Sequence, residues 1–153
     1  MFKEQSNTDS ARFIKKVEIK KSTVHGLGVF ALEAIEKYEI FECAPVIIFH
    51  PSCFDNHKSW SKDVGYDDVI TGGQHILEDY VFAWKGGMCA LGLGWASIYN
   101  HSNDDANASY RMQASDTDDS RIEFYAKRDI QTGEEIFIHY NRGHVPIHFF
   151  GAE

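Results

Sequence analysis

Almost nowhere along this chain do apolar residues recur at helical spacing; short apolar runs alternate instead with polar or glycine-rich breaks. That pattern constrains the fold most, because periodicity decides whether a segment buries a helical stripe or a strand face. Phe13 to Lys20 alternates toward its end, with Val17 and Ile19 on one side, and reads as a strand. Val29-Phe30-Ala31 is a short apolar strand, and Ala34 to Glu39 is a polar turn. Ile40 to Phe49 is a longer strand in which Pro45 predicts an edge position or a break. Pro51 to Gly73 is irregular, with one short helix expected near Ser59 to Val64. Glu78 to Trp84 and Met88 to Leu93 are two strands turned by Lys85-Gly86-Gly87. Asn107 to Ala114 and Arg121 to Lys127 read as a hairpin, and Gln131-Thr132-Gly133 as a turn. Glu135 to Tyr140 closes the series, with Ile136, Ile138 and Tyr140 on one face. The sum is a mainly β fold of several short sheets.

A chain of 153 residues suits one domain with a real core. Its 43% hydrophobic and 14% aromatic content is that of a folded protein, not a disordered one. The net charge of −8 argues against sequence-independent nucleic-acid binding, which needs a basic footprint, and suits a basic partner. Cys43, Cys53 and Cys89 form no disulfide framework. Cys43, His50, Cys53 and His57 make a looser group whose spacing matches no standard zinc module, so no metal is expected. No run of 18 apolar residues occurs, so no membrane span is expected. Met1 to Ser10 has no apolar stretch and does not read as a secretory signal, which predicts an intracellular protein, cytoplasmic or nuclear.

Three segments hold the chemistry. Gly26-Leu27-Gly28 sits between two strands, where glycines permit φ > 0 or close approach to a ligand; a plain turn explains it equally well. It lacks the third glycine, the Lys-Ser/Thr pair and the helix of a phosphate loop. Ile98-Tyr99-Asn100-His101-Ser102 follows the apolar, glycine-rich run Met88 to Trp95, and its polar side chains need partners or cost free energy. With Asn103-Asp104-Asp105 behind it, the tripeptide is also good turn chemistry. Gly133-Glu134-Glu135 leads into Tyr140, a residue type that is most often core or rim.

In this order, with strands between, Gly26-Leu27-Gly28-Val29-Phe30, Tyr99-Asn100-His101-Ser102 and Gly133-Glu134-Glu135 through Tyr140 resemble the SET-domain protein-lysine N-methyltransferases. Glu78-Asp79-Tyr80-Val81-Phe82 and Leu91-Gly92-Leu93-Gly94 resemble the small stand-alone members of viral and bacterial type. The likeness runs from about Val17 to Tyr140. It implies a domain at 13–141 with an insertion at 50–76, between a flexible N-terminus at 1–12 and a tail at 142–153. It also implies a β-clip fold with a pseudoknot-like crossing near the C-terminus, S-adenosyl-L-methionine on one side and a lysine channel on the other. Carried over residue by residue, Gly26, Leu27, Gly28, Tyr80, Asn100 and His101 bind the cofactor, Tyr99, Ile138 and Tyr140 line the channel, and Tyr140 is catalytic. The implied partner is a lysine-containing basic protein or histone-like tail, with no nucleic acid or membrane. A homodimer is one way a small SET domain completes its substrate groove. Isoleucine at 138 has no hydroxyl to hold a water beside the amine, which predicts addition of more than one methyl.

The sequence departs from larger members in places. Asn103 stands where a cysteine usually follows Asn-His-Ser, Ala106-Asn107 replaces the prolyl-asparagine, and flanking zinc-binding cysteine clusters are missing. His144, Phe149 and Phe150 are the tail residues available to cover the cofactor, and Trp60, Tyr66, Asp63, Asp67 and Asp68 offer either a substrate groove or a solvated loop. Two other readings remain at this point: a catalytically silent SET-like peptide-binding module, and a structural metal domain on the Cys43–His57 group.

Overall fold

The computed structural model describes residues 13–53, 80–116 and 119–140. Ten strands occur there: β1 (Phe13–Ile14), β2 (Val17–Lys21), β3 (Leu27–Ala31), β4 (Ile40–Phe49), β5 (Val81–Trp84), β6 (Met88–Gly92), β7 (Asn100–His101), β8 (Ala108–Gln113), β9 (Arg121–Ala126) and β10 (Glu135–Ile138). One sheet runs β5-β6-β4-β9-β8 with β1 beside β4; the other runs β2-β3-β10-β7. The mainly β expectation holds. The expected helix near 59–64, the insertion's aromatics, His57 and the tail residues His144, Phe149 and Phe150 all lie outside the described residues.

The expected first strand divides in two because Lys16 takes a left-handed φ of 62° between β1 and β2. Pro45 neither breaks β4 nor marks an edge. β4 pairs β9 through Ile40–Pro45, while its other side is taken first by β1, opposite Glu42 and Cys43, and then by β6 from Val46 onward. The Pro45 carbonyl accepts the Leu93 N–H, so the missing proline donor falls where one neighbour hands over to the next. Phe41, Ala44, Phe124, Ile122, Ala90, Trp84 and Phe82 from this sheet meet Val29, Ala31, Ile136 and Ile138 from the other in one core.

Two features position the site. β7 runs parallel to β10, with Asn100 opposite Phe137 and His101 opposite Ile138, and the Ser102 N–H continues the ladder to the Ile138 carbonyl. In addition, β10 ends at Ile138, two residues earlier than the alternation predicts. Ile136 and Ile138 are fully buried, whereas Tyr140 is 38% exposed. The chain therefore leaves the buried row, and Tyr140 turns back over β7.

Candidate active site

The loop between β2 and β3 is held in shape by a small polar network. The Ser22 hydroxyl accepts the Val24 N–H and donates to Glu135 Oε2 at 3.0 Å. The other carboxylate oxygen of Glu135 accepts from Asn100 Nδ2 at 2.9 Å. The same Asn100 amide donates to the carbonyls of His25 at 3.1 Å and Leu27 at 3.2 Å. One buried amide thus ties the first and last sequence motifs to the middle one. Gly28 is required by this crowding: a Cβ there would run into Glu135 Oε1 and lie 3.1 Å from Asn100 Nδ2. Gly26 serves differently, with φ of 49° and open space beside it.

Tyr140 is fixed at both ends. Its hydroxyl donates to the Tyr99 carbonyl at 2.8 Å, and its N–H donates to His101 Nδ1 at 3.1 Å. The His101 and Tyr140 rings lie 4.8 Å apart between centroids. His101 Nε2 is 2.9 Å from Asn103 Oδ1. With Nδ1 accepting and Nε2 facing an amide oxygen, the network assigns the neutral Nε2–H tautomer. Asn103, noted as a departure from the larger relatives, is therefore what orients His101.

The other predicted site residues are placed as follows. Leu27 is 55% exposed on the loop. Tyr80 is exposed just before β5, and its carbonyl accepts from Ser97. That links it to the turn before Tyr99 and not to the Gly26–Gly28 loop. Tyr99 differs most from expectation. Its phenol is 1% exposed, stacks on Phe124 at 4.7 Å and donates to Glu42 Oε2 at 2.5 Å, so only its carbonyl serves Tyr140. Ile138 is likewise a core side chain, not the wall of an open passage.

Sequence reasoning gave no role to five residues here. Ser22 and Glu135 brace the loop. Asn107, 1% exposed, donates to the Glu135 carbonyl and to Glu134 Oε1 and accepts the Phe137 N–H, clamping β10. Glu134 is held below the ordinary carboxylate range: burial opposes this, but the Arg128 guanidinium, the Gln131 N–H and Asn107 outweigh it. Glu42, fully buried on β4, accepts the Trp95 N–H at 2.8 Å besides the Tyr99 hydroxyl. Its signal was legible as one carboxylate inside the apolar run Ile40-Phe41-Glu42-Cys43-Ala44. Among the described residues no group of three or more His, Cys, Asp and Glu is placed to hold a metal. Cys43 is buried on β4, and Cys53 is exposed beyond its far end.

The SET-domain family model matches residues 26–141, well over half of the chain. The chain belongs to the SET-domain family. By that membership and by its curated relative it is a protein-lysine N-methyltransferase, of the kind that takes its methyl group from S-adenosylmethionine. The relative is a Schizosaccharomyces pombe histone-lysine N-methyltransferase specific for H3 lysine-37. It is 29% identical over 124 residues, covering 81% of this chain and 72% of the relative. The crystal structure of a Plasmodium falciparum protein described as a histone methyltransferase superposes with a TM-score of 0.64 at 30% identity. That match covers 86% of this chain and 98% of the other. A Polycomb Repressive Complex 2 structure from Chaetomium thermophilum, bound to S-adenosylmethionine, has a TM-score of 0.61 at 24% identity and shares the fold. The alignment covers 84% of this chain but 15% of that one.

The residues present suit S-adenosylmethionine on their own terms. Nothing lies within 4 Å of where a Cβ would stand on Gly26, on a loop whose curvature Asn100 enforces, so an amino-acid end would meet the main chain there without obstruction. An acidic protein also suits a sulfonium cation.

Proposed function

We propose that this chain methylates the ε-amine of a lysine in a basic protein or histone-like tail, with Tyr140 as the catalytic tyrosine. The Gly26–Gly28 main chain, Asn100 and His101 are the residues that would hold the cofactor. Bound there, S-adenosylmethionine supplies a methyl group activated by a positively charged sulfur.

The observation that carries the reading is the hydroxyl of Tyr140 on the Tyr99 carbonyl, beside the parallel β7–β10 pair. A phenol that gives away its one hydrogen presents lone pairs on its other side. Tyr140 therefore accepts an N–H from the incoming amine and aims the nitrogen lone pair, rather than delivering or removing a proton. Methyl transfer to nitrogen gains most from such positioning. The amine must arrive neutral, against a solution pKa of about 10.4, and an apolar approach favours the neutral form. A net charge of −8 attracts the cationic segment that carries the lysine.

The relative's specificity for lysine-37 of histone H3 supports a histone-like substrate here. Labelled-methyl transfer to arrayed lysine peptides tests the substrate class. Preference for lysines in basic, tail-like sequences is expected; equal transfer to acidic contexts would contradict it.

A further inference from the structure

The geometry points to Glu42 as a positioning residue for methyl transfer, one that fixes the catalytic tyrosine through Tyr99 without touching cofactor or substrate. This rests on the reading of Tyr140 given above. The Tyr140 hydroxyl donates to the carbonyl of Tyr99, so its aim follows the placement of that peptide group. Tyr99 is held from the opposite end: its phenol reaches down through the core to Glu42 Oε2. The second oxygen of Glu42 takes the Trp95 N–H, which fixes the turn leading into Tyr99. Gly94 makes that approach feasible, since a Cβ there would lie 2.8 Å from Glu42 Oε1. One carboxyl therefore clamps both the side chain of Tyr99 and the segment before it.

A fully buried carboxyl is an expensive way to hold a core together, because an apolar pair of similar shape avoids its desolvation. Placement beneath a catalytic acceptor gives it a use that packing does not. The groups facing Glu42 are the Tyr99 phenol and the main chain of Trp95 and Ala96, with Phe124 opposite on β9 and Ile14 opposite on β1. Burial pushes its carboxyl up to about 7, against the pull of those hydrogen bonds. The clamp is strongest when ionised, as a carboxylate accepts more strongly than a neutral acid. Raising the pH through neutrality should therefore tighten the hold on Tyr99.

The test is single-turnover transfer of labelled methyl to a randomised lysine-peptide library. The full chain is compared as wild type, Glu42→Gln, Tyr99→Phe, Tyr140→Phe and the Glu42→Gln/Tyr140→Phe pair, with melting temperatures measured alongside. Glu42→Gln and Tyr99→Phe should each slow transfer about tenfold at about pH 8, the worth of one charge-assisted hydrogen bond, with cofactor affinity changed less than about twofold. At about pH 6, where wild-type Glu42 is itself largely protonated, the deficit of Glu42→Gln should shrink to about twofold. Added to Tyr140→Phe, the Glu42 change should slow transfer no further. The inference is overturned if Glu42→Gln lowers the melting temperature but transfers at the wild-type rate. It is equally overturned if the deficit is the same at both pH values or persists in the Tyr140→Phe background. If Glu42→Gln does not fold, Tyr99→Phe carries the comparison, since it removes only the hydroxyl the carboxyl holds. Wild-type activity in Tyr140→Phe alone would sink the reading of Tyr140 instead, which separates the two failures.

Discussion

Gly28→Ala is the sharpest test of how the cofactor loop is built. The added methyl would meet Glu135 Oε1 and crowd Asn100 Nδ2 at 3.1 Å. Gly28 is in β3, paired with Lys20 of β2, so its backbone cannot readily retreat. The Glu135 carboxylate must swing away instead, losing its bonds to Asn100 at 2.9 Å and Ser22 at 3.0 Å. Each bond to a carboxylate contributes ~1–2 kcal/mol in a half-buried setting where water partly replaces it, so the loss is ~2–3 kcal/mol. For a chain this long that corresponds to a fall of about 5–10 °C in melting temperature. Freed from Glu135, Asn100 also holds the His25 and Leu27 carbonyls less firmly, so cofactor affinity should drop as well. Thermal denaturation and calorimetric titration with S-adenosylmethionine measure the two effects. Gly26→Ala provides the contrast: its methyl meets nothing, and the cost is backbone strain of about 1 kcal/mol at positive φ. A Gly28→Ala chain melting with the wild type, or above Gly26→Ala, would refute the reasoning. So would finding that Gly28→Ala costs as much in a Glu135→Ala background as in the wild type, because removing the carboxylate removes the larger clash and leaves only the crowding of Asn100.

Two further outcomes are expected. Glu42 binds its proton more tightly folded than unfolded, with a carboxyl raised from 4.5 to about 7. Its favourable contribution is complete below the unfolded value and is lost as the pH rises through the folded one. Wild type should thus lose about 3 kcal/mol relative to Glu42→Gln between about pH 4 and about pH 8, measured by urea denaturation; a pH-independent difference would contradict the assignment. Exhaustive reaction should yield di- or trimethyl-lysine, since Ile138, packed in the core, contributes no hydroxyl that could hold a water near the Tyr140 phenol, and mass spectrometry finding only monomethyl-lysine would reject that.

Much of the fold was legible because strand alternation is local. Ile40 to Phe49 follows directly from its apolar run, and the hairpin of β8 and β9 from the polar break between them. The three motifs were legible in order, and the structure brings them together through Asn100 and Tyr140. What escaped depends on contacts between distant segments. Pro45 could not be placed without knowing that β4 changes neighbours beside it. Period-two alternation extended β10 to Tyr140, but alternation does not show where a ladder runs out of partners. Tyr99 sits next to Asn100 in the motif, and that adjacency points it to the channel. Only the tertiary position of Glu42, 57 residues away, reveals that its phenol points into the core. Ser22 and Glu135 carry no signal in isolation; they matter because β3, β7 and β10 meet there.

The central claim is that a single phenol, hung on the Tyr99 carbonyl, sets the amine for methyl transfer. Its most direct measurement is single-turnover transfer from labelled S-adenosylmethionine to a lysine-peptide library by wild type and Tyr140→Phe, with cofactor binding measured on both. The account predicts label on lysine ε-nitrogens with the wild type, and a fall of at least about a hundredfold in Tyr140→Phe with cofactor affinity preserved. Transfer by Tyr140→Phe at the wild-type rate, or cofactor binding by wild type without any transfer, would contradict it.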